Sequence, residues 1–215
     1  MNTAFINLND TICALSTPAG SGAIGVVRLS GPDAADISLQ FVEISRDVTA
    51  ETIVPRMVYF GKFMVMGELL DEVLITYFKK PHSYNGQDIV EISCHGSVFI
   101  QQRILEALLA AGARLAEPGE FTLRGFLNGK FDLSQAEAVA DLIASNSVAS
   151  HRLAMQQMRG GFSLKIGELR ARLIDFASLI ELELDFSEED VEFADRHALF
   201  DLLSKIKSEL ESLKS

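Results

Sequence analysis

Two hydrophobic rhythms divide this chain. Up to about residue 117, short apolar runs alternate with glycines. Thr11 to Thr17 and Ala23 to Leu29 predict strands, the second rich in Ile and Val. Pro32 to Val42 predicts a short helix, with proline tolerated in the first turn. Met57 to Val65 and Glu72 to Phe78 predict a hairpin turning near Gly67. Ile89, Glu91 and Ser93 alternate with Val90, Ile92 and Cys94, the pattern of a strand with one polar face. Ser97 to Ala111 predicts an amphipathic helix through Ile100, Ile104, Leu105 and Leu108, ended by Gly112. Arg46 to Pro55 and Lys79 to Gly86 read as irregular. Strands and helices mix without a βαβ rhythm, so the expected class is α+β.

From Leu133 onward the period is helical. Helices are predicted from Leu133 to about Asn146, from Val148 to Met158, from Ser163 to Leu184, and from Asp195 to the end. The third carries Ile166, Leu169, Leu173, Phe176, Ile180 and Leu184 along one side. The fourth carries Leu199, Leu202, Ile206, Leu210 and Leu213, with no glycine or proline stop. An unterminated helix leads us to expect that the natural chain continues. The expected organisation is an α+β domain over 1–125 and an all-α segment over 126–215.

Between the two rhythms, residues 118–143 concentrate polar groups. Pro118-Gly119 and Asn128-Gly129 read as turn pairs, with Arg124 and Lys130 at or beside them. Asp132 with Gln135, and Ser134 with Glu137, both fit a capping box for the next helix. Spacing alone fits a well-capped domain junction as readily as a functional loop.

Composition narrows the setting. The chain is 48% hydrophobic and 23% charged, an ordinary soluble balance. Its apolar runs are short and broken by charges, so no membrane span is expected. Met1 to Asp10 shows no secretory pattern. Cys13 and Cys94 sit in apolar runs without zinc spacing, which suits buried thiols in a reducing cytoplasm, although sequence leaves a disulfide between them open. Nineteen basic and thirty acidic residues give a net charge of -11, which opposes strong sequence-independent binding to nucleic acid. Glu181, Glu183, Asp185, Glu188, Glu189, Asp190 and Glu192 cluster with no cation between them. Such a cluster is either a solvated helix end or a surface for a basic partner.

Among candidate motifs, Gly20-Ser21-Gly22-Ala23-Ile24-Gly25 matches a dinucleotide fingerprint in letters only. That fingerprint requires a helix to open at the glycines, and here Val26, Val27 and Leu29 continue a strand. No Gly-x-x-x-x-Gly-Lys-Ser/Thr occurs, so no phosphate-cradling loop is expected. Cys94 and His95 are neighbours on a strand and point to opposite faces, which excludes a nucleophile–base pair. Glu137 and Asp141 read as a solvated helix face. Arg28, Glu91 and Lys130 are each ordinary surface positions singly. Together they offer one carboxylate, which can accept paired N–H groups, and two cations, which can pair with an anion.

Several long runs carry a family resemblance. Pro118 to Ala138 reads PGEFTLRGFLNGKFDLSQAEA. Earlier come TICA at 11–14, PAGSG at 18–22, VRLSG at 27–31, NGQDIVEI at 85–92 and CHG at 94–96. Later comes DFSEED at 185–190. In that order they resemble the MnmE (TrmE) family of tRNA wobble-uridine modification GTPases. The resemblance implies a folate-binding, dimerising α+β domain akin to that of the glycine-cleavage aminomethyltransferase, then part of a helical domain. A potassium-dependent GTPase domain that uses GTP and magnesium would follow, outside this chain. The family's folate-contacting arginine, glutamate and lysine match Arg28, Glu91 and Lys130, with Arg124 a weaker fourth candidate. The ligand implied is a tetrahydrofolate, 5-formyl or 5,10-methylene. The partners implied are a second copy, the FAD protein MnmG (GidA) and tRNA. Neither a catalytic residue nor a resident metal is assigned to this chain. Two alternatives are a free-standing folate-dependent aminomethyltransferase, which the unterminated last helix disfavours, and a purely structural dimerisation module.

Overall fold

The alternating runs pair into one seven-stranded sheet in a computed structural model that describes residues 7–44, 48–185 and 196–212. The strands are β1 (Ile12–Leu15), β2 (Ile24–Ser30), β3 (Val42–Ile44), β4 (Val58–Val65), β5 (Glu68–Phe78), β6 (Ile89–His95) and β7 (Arg114–Leu115). Their order is β3-β4-β5-β6-β2-β1-β7, antiparallel throughout except for the parallel β1–β7 pair. The hairpin between β4 and β5 turns on Met66 and Gly67, both at positive φ (52° and 80°), as a two-residue loop that matches strand twist requires.

Period-two alternation gives the sheet two different faces. Val27, Leu29, Val73, Ile75, Val90 and Ile92 are buried in the core with α1 (Ala34–Leu39) and α2 (Val98–Ala110), which contribute Ile37, Ile104 and Leu108. Residues of opposite parity, Ile24, Val58, Phe60 and Leu74, stay between 46% and 65% exposed. Arg28 and Glu91 share that open face.

Pro118-Gly119 and Asn128-Gly129 are turns, and between them stands a further helix that was not predicted, α3 (Glu120–Leu127). Gly119, at φ 77°, is its N-cap, and Gly129, at φ 70°, lies just past its end. The two glycine pairs therefore bound a helix, and Arg124 stands inside it. Eight residues are too few for helical periodicity to register, and Gly125 within them lowers helix propensity. Strands β3 and β7, of three and two residues, escape a pattern search for the same reason of length.

The chain divides into two compact units between Phe131 and Asp132. The second unit is helical: α4 (Leu133–Ala144), α5 (Val148–Met158), α6 (Gly161–Asp185) and α7 (Arg196–Ser212). Of the two candidate capping boxes, Asp132 with Gln135 forms, and Ser147 with Ser150 caps α5 in the same way. Phe176 of the predicted α6 stripe is buried. Residues 186–190 of the acidic motif lie outside the described residues. Among the described residues no helix is long and apolar enough to cross a membrane.

Candidate functional site

Antiparallel pairing of β2 with β6 sets Arg28 directly opposite Glu91. Arg28 donates from both Nε and Nη2 to the same carboxylate oxygen, Oε1, at 2.9 and 2.6 Å. Among the described residues, Oε2 of Glu91 and Nη1 of Arg28 take part in no hydrogen bond. The pair is about a quarter exposed, with side-chain values of 25% and 28%. It thus presents one free acceptor and one free donor to whatever enters.

Aromatic rings fix the guanidinium from the loop before β6 and from α3. Its carbon lies 5.5 Å from the Tyr84 ring centroid and 5.6 Å from that of Phe121. Such cation–π contacts contribute about 0.5–1 kcal/mol each at partly exposed sites. Tyr84 is itself held, by an oxygen–oxygen contact of 2.8 Å with Thr122 and by the Phe131 ring at 5.3 Å. The rest of the loop is built by the residues of its Asn-Gly-Gln-Asp run. Asn85 donates to the Ser30 hydroxyl at 2.8 Å, Ser30 donates to Gln87 at 3.1 Å, and Gln87 donates to the Leu8 carbonyl at 2.8 Å. Asp88 accepts from the Tyr77 hydroxyl at 3.0 Å and the Lys80 amide at 2.8 Å. Burial, reinforced by Asp88, pushes the Tyr77 phenol up to about 12.

The four charged candidates are not equivalent. Arg28 and Glu91 are joined. Lys130 is exposed and donates from Nζ to the Pro81 carbonyl at 3.1 Å. Its stem packs near Gly86, so it touches the same loop as Tyr84 without bonding to the pair. Arg124 is fully buried. It donates to Glu120 from Nε at 3.1 Å and from Nη2 at 2.9 Å, and also to Asp10, to the Asn7 and Asp10 carbonyls and to Gln87. Arg114 reaches the same two carboxylates, Glu120 at 2.6 Å and Asp10 at 2.7 Å. Burial pushes the Asp10 and Glu120 carboxyls up, but hydrogen bonds from the two arginines outweigh it and hold both below their ordinary range; the Glu117 amide adds to this at Glu120. Arg124 is therefore a tie between α3 and residues 7–10, with its donors engaged inside the protein.

Comparison with known proteins places the chain in a family. Residues 11–130 match the family described as GTP-binding protein TrmE N-terminus, and residues 133–215 match the MnmE helical domain. The chain belongs to the MnmE (TrmE) family. It is 57% identical over 211 residues to the tRNA modification GTPase MnmE of Cytophaga hutchinsonii, a match covering 98% of this chain and 45% of that protein. It is 56% identical over 206 residues to the protein of the same name from Flavobacterium johnsoniae, covering 95% and 44%. The corresponding figures for Porphyromonas gingivalis are 51% over 205 residues, covering 95% and 43%. The chain thus spans less than half the length of these relatives.

Other polar groups of this MnmE-family chain were not legible beforehand. Asp71, buried on β5, accepts from the His95 amide at 2.8 Å and the Glu72 amide at 2.9 Å, and lies 2.6 Å from His95 Nδ1. Sequence places His95 beside a turn but offers no sign of a partner 24 residues away. Tyr84, Phe121 and Phe131 read as ordinary apolar positions until the fold brings the first two over Arg28 and Phe131 against Tyr84. Glu120 and Arg124 did carry a signal, the i,i+4 spacing of a helical ion pair. Cys13 and Cys94 are free and buried, and burial pushes both thiols up to about 11.

Proposed function

We propose that this chain supplies the tetrahydrofolate site and the self-association surface of a cytoplasmic tRNA-modifying GTPase. The observation that carries the reading is the Arg28–Glu91 pair, clamped by Tyr84 and Phe121 on an open sheet face with Oε2 and Nη1 free. A pterin edge presents adjacent N–H groups beside ring acceptors, so the chemistry of the pair fits it. Glu91 Oε2 accepts from the pterin, and Arg28 Nη1 donates to it. Lys130, which donates to the Pro81 carbonyl of the loop that carries Tyr84, pairs with the glutamate tail. Arg124 positions α3 and so the Phe121 ring, and makes no ligand contact of its own.

A bound 5-formyl- or 5,10-methylene-tetrahydrofolate supplies a one-carbon unit, and the residues here bind and orient it. In the whole protein that unit goes to C5 of the wobble uridine in tRNA, with the FAD protein MnmG as partner. GTP, magnesium and potassium belong to the GTPase domain of the family.

The test is titration with 5-formyltetrahydrofolate followed by calorimetry. Glu91→Gln keeps the shape but replaces an anionic acceptor. Loss of a charge-assisted hydrogen bond of about 1.5–3 kcal/mol weakens affinity roughly tenfold or more. Lys130→Ala weakens a glutamate-bearing folate more than a bare pterin and leaves the melting temperature unchanged. Equal affinity for all three proteins would remove these residues from the site.

A further inference from the structure

Arginines are used in opposite ways in the two units. Every described arginine of the first unit has an acceptor: Arg28 has Glu91, Arg56 the His82 carbonyl, Arg103 Glu106, and Arg114 and Arg124 the carboxylates of Asp10 and Glu120. In the second unit, Arg152 and Arg159 are exposed and have no side-chain hydrogen bond or ion pair among the described residues. They lie on α5 and at its C-cap, seven residues apart and hence on one side of the helix. With Val148, His151, Met155 and Gln156 they line a groove of about 540 Å³.

Charge marks this groove out. From Leu142 to Gly167 the sequence has no Asp or Glu, in a chain whose net charge is -11. Against that overall charge, two guanidinium forks and an imidazole face solvent here without a carboxylate on the same helix. A guanidinium with unengaged donors matches phosphate geometry in a bidentate way. Seven residues of helix separate the two by ~10 Å, a span wide enough for each to meet a different phosphate of one RNA strand. Met155 and Val148 add apolar floor against which a sugar or base can rest.

We propose that the α5 groove, with Arg152 and Arg159 as its phosphate contacts, is an RNA-binding surface that takes the backbone of the tRNA anticodon arm. The choice of tRNA rests on the function proposed above; the choice of a phosphate backbone rests on the groove itself. With only two or three cations engaged, binding is weak and steeply dependent on salt.

The experiment is fluorescence anisotropy of a labelled anticodon stem-loop RNA against the 215-residue chain and the double variant Arg152→Glu/Arg159→Glu, across a salt series. The wild type binds at low salt, and the variant binds at least tenfold more weakly. The slope of log affinity against log salt becomes shallower by about 1.4, two contacts at roughly 0.7 each for a single strand. Both proteins keep one melting temperature and one affinity for 5-formyltetrahydrofolate. Should the charge reversals unfold the protein, Arg152→Gln/Arg159→Gln removes the charges without adding repulsion, and a loss of affinity is still required. Undiminished RNA binding by the variants overturns the groove while leaving the tRNA reading intact. No RNA binding by the wild type at any salt also overturns it. Stronger competition by poly-glutamate than by RNA assigns the groove to an acidic protein segment instead. Folate titration of the same samples reports separately on the function from which tRNA was chosen.

Discussion

Arg28 and Arg124 are both cations that sequence offered to a ligand, and their surroundings separate them. Arg28 keeps one nitrogen free and a quarter of its side chain exposed, while Arg124 is enclosed by acceptors. The difference has a consequence in pH. Asp10 and Glu120 have native pKa values held below the ordinary carboxylate range of about 4. Their ion pairs therefore stabilise the fold fully above that range, and the contribution is lost as pH falls through the lowered native values. Chemical-denaturation midpoints measured from neutral pH downward should stay level to about pH 5 and drop below about pH 4. Arg124→Ala should lower stability by about 3–5 kcal/mol at neutral pH, because it leaves Glu120 buried with a missing partner, and should flatten the acid limb. A midpoint indifferent to pH between 5 and 2 would show that the network does not contribute. At this scale the sequence revealed residue types. It was silent on Asp71 with His95 and Asp10 with Arg114, because those contacts join distant strands and loops.

At the scale of elements, the strands with clear period-two alternation and the long helices of the second unit were legible, since each buries a face long enough to leave a periodic trace. The short α3 was not, and it is the element that completes the candidate site. Phe121 at its start rings Arg28, Thr122 holds Tyr84, and Gly125 sits against Phe131. A Cβ on Gly125 would lie 2.7 Å from two carbons of the Phe131 ring, closer than any relaxed contact. Helix propensity favours alanine over glycine by about 1 kcal/mol, whereas overpacking a close contact costs about 1–3 kcal/mol. Gly125→Ala should therefore lower the melting temperature. It should also weaken 5-formyltetrahydrofolate, because a displaced Phe131 moves Tyr84 away from Arg28. A variant that melts higher and binds equally well would show that α3 does not support the site.

For the whole molecule, the family was readable from the ordered motifs, whereas the open face of the sheet became visible only with the strands paired. The sequence lacks a phosphate-cradling loop, so isothermal titration with GTP should give no saturable heat; measurable binding would mean a nucleotide site of another kind. The open face bears on assembly. Ile24, Val58, Phe60 and Leu74 come from three strands yet lie on one surface beside Arg28 and Glu91. We propose that a second copy covers it, which would enclose the folate pair and exclude water from it. A stable interface of this kind buries at least about 1,000 Å² in total, a scale that a face of several strands can provide. Each copy carries a net charge of -11, so salt that screens the mutual repulsion should favour the dimer. Multi-angle light scattering should give twice the chain mass, with dissociation on dilution more pronounced at low salt. Phe60→Glu puts a carboxylate in the middle of the apolar face without disturbing the core, because Phe60 is 52% exposed. That variant should be monomeric with an unchanged circular dichroism spectrum. A wild type that is monomeric at every accessible concentration, or a Phe60→Glu protein as dimeric as the wild type, would remove this face from the assembly.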